Sequence, residues 1–267
     1  MGGATTVEWP RLSWRAGEGA SAGARDLAEE APVAITHDGS TTAVMMATPS
    51  DLEDFGLGFS LSEGIVSAAG EIAELAVVEA ELGWEVRMWL APGAGRRLAE
   101  RRRRMVGPSG CGLCGVESLA EAVRPPPRLA AGDDLRIAAA TLSAALAGLA
   151  AEQAIGRTTR AAHAAALWTA GEPLLVREDV GRHNALDKLI GAAAREERRG
   201  QALLLTSRVS VEMVQKACVL GAPVVCAVSA PTGLAVRVAQ DAGLTLVAVA
   251  RADGFEVFTH AARVATA

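Results

Sequence analysis

Ala202-Leu203-Leu204-Leu205-Thr206 opens a stretch in which apolar runs and helical patterns alternate as far as Ala250. Ser207 to Ser210 is a polar turn, Val211 to Leu220 carries helical spacing, and Pro223 to Val228 is again a continuous apolar run. Leu234 to Ala242 then reads as a helix and Leu244 to Ala250 as a strand. Short apolar runs that alternate with helices predict strand–helix–strand units, whose parallel or mixed sheet is covered by helices on both faces. Upstream, His163 to Leu167 and Leu174 to Arg177 fit strands, and His183 to Arg195 fits a helix. The fold class is therefore α/β, with a three-layer α/β/α domain.

Further towards the N-terminus the pattern changes. Ala31 to Thr36 and Thr42 to Ala47 flank His37-Asp38-Gly39-Ser40, a hairpin with Asp-Gly at its tip. Thr48-Pro49-Ser50-Asp51 is a turn with a helix N-cap, followed by helical spacing through Leu52, Phe55, Phe59 and Ile65. A strand pair, Ile72 to Glu79 and Glu85 to Leu90, completes a smaller mixed α/β lobe. Pro125-Pro126-Pro127 cannot continue a helix and makes a stiff linker. The expected division is an N-terminal lobe, 1–124, and the α/β/α domain, 125–267. Leu135 to Gln153, rich in Ala and Leu, is an expected packed helix.

The chain of 267 residues has no tyrosine and four phenylalanines, and of 26 basic residues only Lys188 and Lys216 are lysines. This is coding bias that leaves the hydrophobic pattern intact, so a cluster such as Arg101 to Arg104 reads by default as a solvated helix face. A net charge of −5 argues against a general nucleic-acid binder. No apolar run is long enough to cross a bilayer, and Met1 to Ala20 lacks the apolar core of a signal peptide. Four cysteines without an export signal point to thiols in the cytoplasm.

Cys111 and Cys114 sit in Gly110-Cys111-Gly112-Leu113-Cys114-Gly115. Glycines leave the sulfurs uncrowded, and upstream arginines, if near, favour the thiolate that attacks sulfur donors. That suits persulfide transfer. A zinc site, a redox pair and a plain surface loop stay open on these residues alone. Cys218 and Cys226 lack ligand-pair spacing and read as buried small hydrophobes.

Ligands of open α/β sheets sit outside the carboxyl ends of strands. Those turns carry Arg182 and His183, Ser207 and Arg208, Ser229 and Thr232, and Arg251 to Gly254. Helix N-terminal amides and arginine forks suit phosphate oxygens, so a large phosphorylated ligand such as a nucleotide is expected. Ser and Thr are also ordinary N-caps, which is the competing reading of each turn. No hydrolase triad and no P-loop is present in the pattern.

The cysteine motif, the fifteen-residue block Arg177 to Gly191 and Ser207 to Lys216 resemble the formate dehydrogenase accessory sulfurtransferases, the FdhD family. Ser229 to Thr232, Ala47 to Asp51, Leu57 to Phe59 and Glu63 to Ile65 also fit, so the match runs from about Ala31 to His260. The resemblance implies a sulfur carrier that accepts sulfur from a cysteine desulfurase as a persulfide on Cys111, with Cys114 as helper. It passes that sulfur to the bis(guanine dinucleotide) molybdenum cofactor for formate dehydrogenase. The family's cofactor segment falls on Val249, Ala250, Arg251, Ala252, Asp253 and Gly254. A cytidine deaminase-like domain without the deaminase zinc ligands, and a homodimer, are implied too. The alternatives are a molybdenum cofactor chaperone without sulfur chemistry and a zinc-dependent deaminase-like enzyme. Thr159-Arg160-Ala161 stands where the family tends to carry Thr-Gly-Gly, and Phe255 to Phe258 where Asn and Tyr are commoner.

Overall fold

The computed structural model describes residues 2–95, 124–129 and 134–266. The N-terminal elements are β1 (Thr6–Arg15), β2 (Gly19–Ala28), β3 (Ala31–His37), β4 (Ser40–Ala47), α1 (Leu52–Ser62), β5 (Ile72–Ala80) and β6 (Gly83–Leu90). There follow β7 (Ile137–Ala138), α2 (Ala139–Glu152), α3 (Ala154–Thr159), β8 (His163–Trp168), β9 (Leu175–Asp179) and α4 (Arg182–Arg195). The chain ends through β10 (Ala202–Leu205), α5 (Val211–Leu220), β11 (Val224–Ala227), α6 (Gly233–Ala242), β12 (Thr245–Arg251), β13 (Gly254–Val257) and β14 (Val264–Ala265).

Six strands form one sheet in the order β13-β12-β11-β10-β8-β9. Strands β10, β11 and β12 are parallel, while β8 and β13 run against their neighbours. Because β9 pairs antiparallel with β8, it points the same way as β10. The continuous apolar runs are explained by burial of both faces. Leu203, Leu205, Val225 and Leu246 pack under α4, α5 and α6. Leu204, Val224, Cys226 and Val247 pack towards Leu142 and Leu149 of α2. Each fully buried Leu or Val contributes about 1.5–3 kcal/mol. The alternation thus yields the three layers it predicts.

The smaller lobe is a four-stranded sheet, order β4-β3-β6-β5, with α1 on one face. Asp38 and Gly39 both take positive φ, 50° and 75°, as a two-residue hairpin turn requires. Helix α1 lies against α4 at two glycines. A Cβ on Gly58 would overlap the Asp187 carbonyl, and one on Gly191 the Asp54 carbonyl, so the two backbones touch.

Three local expectations change. Asp51 is the N-cap of α1, but it is left-handed and makes no side-chain cap; its carboxylate lies 3.7 Å from Arg177 Nε instead. The helix expected from Leu135 starts only at Ala139, because Ile137 and Ala138 are extended and pair with Val264 and Ala265. That helix is packed on one side only, through Leu142, Ala145 and Leu149. Short strands are expected from Val7 onward, but the pairing of β1 with β2 as a separate ribbon is not, since its outward positions mix Trp, Leu and Ala with charge and give no core-facing pattern.

Candidate functional site

Strands β9, β10, β11 and β12 end on one edge of the large sheet, and β8 begins there with His163 opposite Asp179. The predicted turns are therefore brought together along one rim. From β9 to β12 the rim spans four strand spacings, roughly 19 Å. Two of its loops are laced: Val209 N donates to Ala230 O, and Thr232 N donates to Val209 O.

The individual side chains divide into engaged and open. Thr232 Oγ1 accepts from Ala235 N as the cap of α6, and Ser207 Oγ donates to Arg208 O. Both are committed to the main chain, the competing reading of such turns. The Arg251 guanidinium donates to the carbonyls of Val228 and Ala250. Ala250 is buried in the core facing α2, so only its main chain can reach a ligand. Arg208, Ala252, Asp253 and Gly254 are exposed, and Ser229 is half-buried. Val249 holds φ 53° at the β12–β13 bulge, a left-handed conformation that is costly for a β-branched residue.

At the N-termini of α4 and α5 the pattern differs. Arg182 Nε, His183 Nε2 and Ser210 Oγ are buried, and none has a hydrogen-bond partner among the described residues. Unpaired buried polar atoms each cost about 1–3 kcal/mol, so three together need a reason. Glu212 Oε2 lies 4.0 Å from His183 Nε2, beyond a hydrogen bond. Burial first, then Arg182 and Lys216, lower the His183 pKa to about 4 against the opposing pull of Glu212 and Asp187. Burial and Arg182 also lower that of His163. A neutral imidazole, a guanidinium and a hydroxyl can all donate, and the helix N-termini add positive potential. The arrangement suits an oxyanion.

Sequence reading missed the ionic joints beneath this rim. Asp179 accepts from Lys188 Nζ at 2.6 Å, Thr48 N at 3.0 Å, Gly181 N at 2.8 Å and Asn184 Nδ2 at 3.0 Å. Lys188 also donates to Thr48 O, and Asn184 to Met46 O. A second joint sets Lys216 Nζ at 2.7 and 2.9 Å from the Asp187 carboxylate, with Ser62 Oγ bonded to both. Asp54 receives Arg177 and Arg195. Each joint ties the smaller lobe to α4. The available signal was the lysine count: the only two lysines of the sequence are both buried cations.

The thiols divide as well. Burial pushes Cys218 and Cys226 up to about 12, and they pack on opposite faces of the sheet, so both are inert and cannot share a metal. Cys111, Cys114 and the arginines from Arg96 to Arg104 lie outside the described residues. The described chain stops at Gly95 and resumes at Arg124. There Arg124 Nη2 donates to Ser62 O, and Gln215 Nε2 donates to the Arg124 carbonyl.

The model of the FdhD/NarQ family matches residues 28–265. The chain belongs to that family. It is 49% identical over 251 residues to the sulfur carrier protein FdhD of Agrobacterium fabrum, covering 91% of this chain and 90% of that one. The protein of the same name from Brucella abortus is 50% identical over 243 residues, 90% of each chain. That from Cupriavidus necator is 47% identical over 253 residues, 94% and 87% respectively. A crystal structure from Desulfotalea psychrophila, of a candidate formate dehydrogenase accessory protein, superposes with a TM-score of 0.77 over 98% of this chain and 100% of that one. At 24% identity it supports the fold of this FdhD/NarQ member. No helix among the described residues is long and apolar enough to cross a membrane.

Proposed function

We propose that this FdhD/NarQ protein is a sulfur carrier that serves formate dehydrogenase in the cytoplasm. Cys111 takes the outer sulfur from the persulfide of a cysteine desulfurase. The thiolate attacks that sulfur, the donor's S–S bond breaks, and the donor cysteine leaves as thiolate. The acceptor is the bis(guanine dinucleotide) molybdenum cofactor, bound as substrate on the rim of the large sheet. Delivery as sulfide balances if Cys114 attacks the Cys111 sulfur, leaving a Cys111–Cys114 disulfide for a cellular thiol to reduce.

The observation that carries the binding half is the trio of buried atoms Arg182 Nε, His183 Nε2 and Ser210 Oγ, without partners among the described residues. They fit phosphate oxygens of a guanine dinucleotide between two helix N-termini. The exposed Arg251 to Gly254 turn lies further along the same rim. The relatives' shared name supports the sulfur chemistry. The protein acts as a homodimer in this reading.

The test is to incubate the protein with a cysteine desulfurase and cysteine and record its intact mass. Wild type should gain one sulfur atom that Cys111→Ala does not. If Cys111→Ala still binds the cofactor and still activates formate dehydrogenase, the protein is a chaperone without sulfur transfer and the proposal fails.

A further inference from the structure

Glu212 supplies the acid of the first turn of α5, but it is not placed as first-turn acids usually are. Such residues ordinarily stand in solvent, where they favour the positive helix N-terminus. The Glu212 side chain is only 13% exposed and is turned to the neighbouring helix, with Oε2 4.0 Å from His183 Nε2. It stands one position short of the site from which a carboxylate reaches back to the cap, and Ser210, the N-cap of α5, makes no side-chain cap either. The carboxylate accepts no hydrogen bond among the described residues.

The charges around it do not balance once the anion of the reading above is bound. A dinucleotide pyrophosphate brings about two negative charges, one per phosphate. Arg182 and the N-termini of α4 and α5, at about half a charge each, meet those two. Lys216 adds nothing, because Asp187 already holds it at 2.7 Å. Glu212 is then a third negative charge, set beside the ligand without a cation of its own.

Magnesium resolves such a conflict, because it keeps most of its waters and is held by one or two carboxylates together with substrate phosphates. Among the described residues no three His, Cys, Asp or Glu side chains gather as a metal cage, so such an ion would arrive with the phosphates. The spacing suits it. Adjacent ligands of an octahedral ion with bonds of about 2.1 Å lie about 3 Å apart. A phosphate oxygen about 2.8 Å from His183 Nε2 and about 3 Å from Glu212 Oε2 closes a triangle on the observed 4.0 Å.

We propose that Glu212 holds a magnesium ion against the pyrophosphate, so that the rim takes its ligand as the metal complex. Arg182 then grips one side of the phosphates and the cation the other. The inference rests on the anion site proposed above and is separate from the chemistry of Cys111.

The test is calorimetry of guanosine diphosphate binding to the full chain, in magnesium and in EDTA. Wild type should bind about tenfold or more tightly with magnesium. Glu212→Gln should bind more tightly than wild type in EDTA, since the repulsion is gone, and should gain less than about twofold from magnesium. Glu212→Asp should keep part of the dependence, and circular dichroism checks that both variants remain folded. Manganese(II) serves as a direct probe: wild type with guanosine diphosphate should quench its paramagnetic resonance signal more than the nucleotide alone, and Glu212→Gln should not. A wild type indifferent to magnesium, or a dependence that survives in Glu212→Gln, overturns the proposal. Absence of nucleotide binding in both media overturns the anion site itself, and the cation with it.

Discussion

His183 offers a quantity that can be worked from the structure. Its folded pKa is held to about 4 by burial, Arg182 and Lys216, against about 6.5 in an unfolded chain. The folded state therefore resists protonation. The stability this contributes is fully present above pH 6.5 and is lost as the pH falls from there towards 4. Going from pH 7.5 to 5.0 should remove about 2 kcal/mol through this residue, a large share of a typical domain's 5–15 kcal/mol. Carboxylates and His163 titrate as well, so the measurement is a difference. Urea unfolding of wild type and His183→Gln should diverge by about 2 kcal/mol across the window, because terms common to both cancel. Ring NMR reports the pKa directly. A value at or above 6.5, or a difference that stays flat with pH, refutes the electrostatic picture of the rim. Pyrophosphate bound against Arg182 should raise the His183 pKa, and by linkage should bind more tightly as the pH falls.

Gly191→Ala should cost about 2 kcal/mol or more in urea unfolding, since its Cβ meets the main chain of Asp54 and not a movable side chain. Lys188→Arg should cost about 3 kcal/mol, because the 0% exposed pocket around Asp179 fits an ammonium and not a planar guanidinium. Arg160→Gly should stabilise by about 1 kcal/mol, read as a raised Tm, because Arg160 holds φ 59° at the end of α3. Arg182→Ala and Ser210→Ala should each weaken guanosine diphosphate binding about tenfold in calorimetry, with the fold intact.

The large sheet was legible because its strands are buried on both faces and read as unbroken apolar runs between capped helices. The rim was legible for the same reason, since strand ends fix where the turns must gather. What each turn residue does was not. Thr232 and Ser207 spend their hydroxyls on the main chain, while Ser210, which reads the same in sequence, has no partner among the described residues. Only the path of the loop decides between the two. The ribbon escaped because a strand exposed on both faces has no hydrophobic alternation to reveal it. Arg160 shows the opposite case: a departure from Thr-Gly-Gly stands on a left-handed residue, which explains why glycine suits the position.

The block from Arg177 to Gly191 that marks the family is mostly a joint. Arg177, Asp179, Asn184, Asp187, Lys188 and Gly191 all face the smaller lobe, and only Arg182 and His183 turn towards the rim. The same helix α4 therefore carries the proposed anion site at its N-terminus and fixes α1, whose last residue, Ser62, holds Arg124 where the chain returns from Cys111. Lysine is retained at Lys188 and Lys216 in a chain otherwise built with arginine, because a buried carboxylate shared among amides and hydroxyls leaves room for one small cation. Substituting Asp187 by Asn would leave the buried Lys216 with only Glu63, 3.6 Å away, as a charged partner and would loosen Ser62 in the same step. Such a variant should lose sulfur delivery at pH 7 while pyrophosphate, held one turn away at the N-terminus of α4, still binds. Parallel loss of both would mean that Asp187 and the N-terminus of α4 do not act as separate attachments.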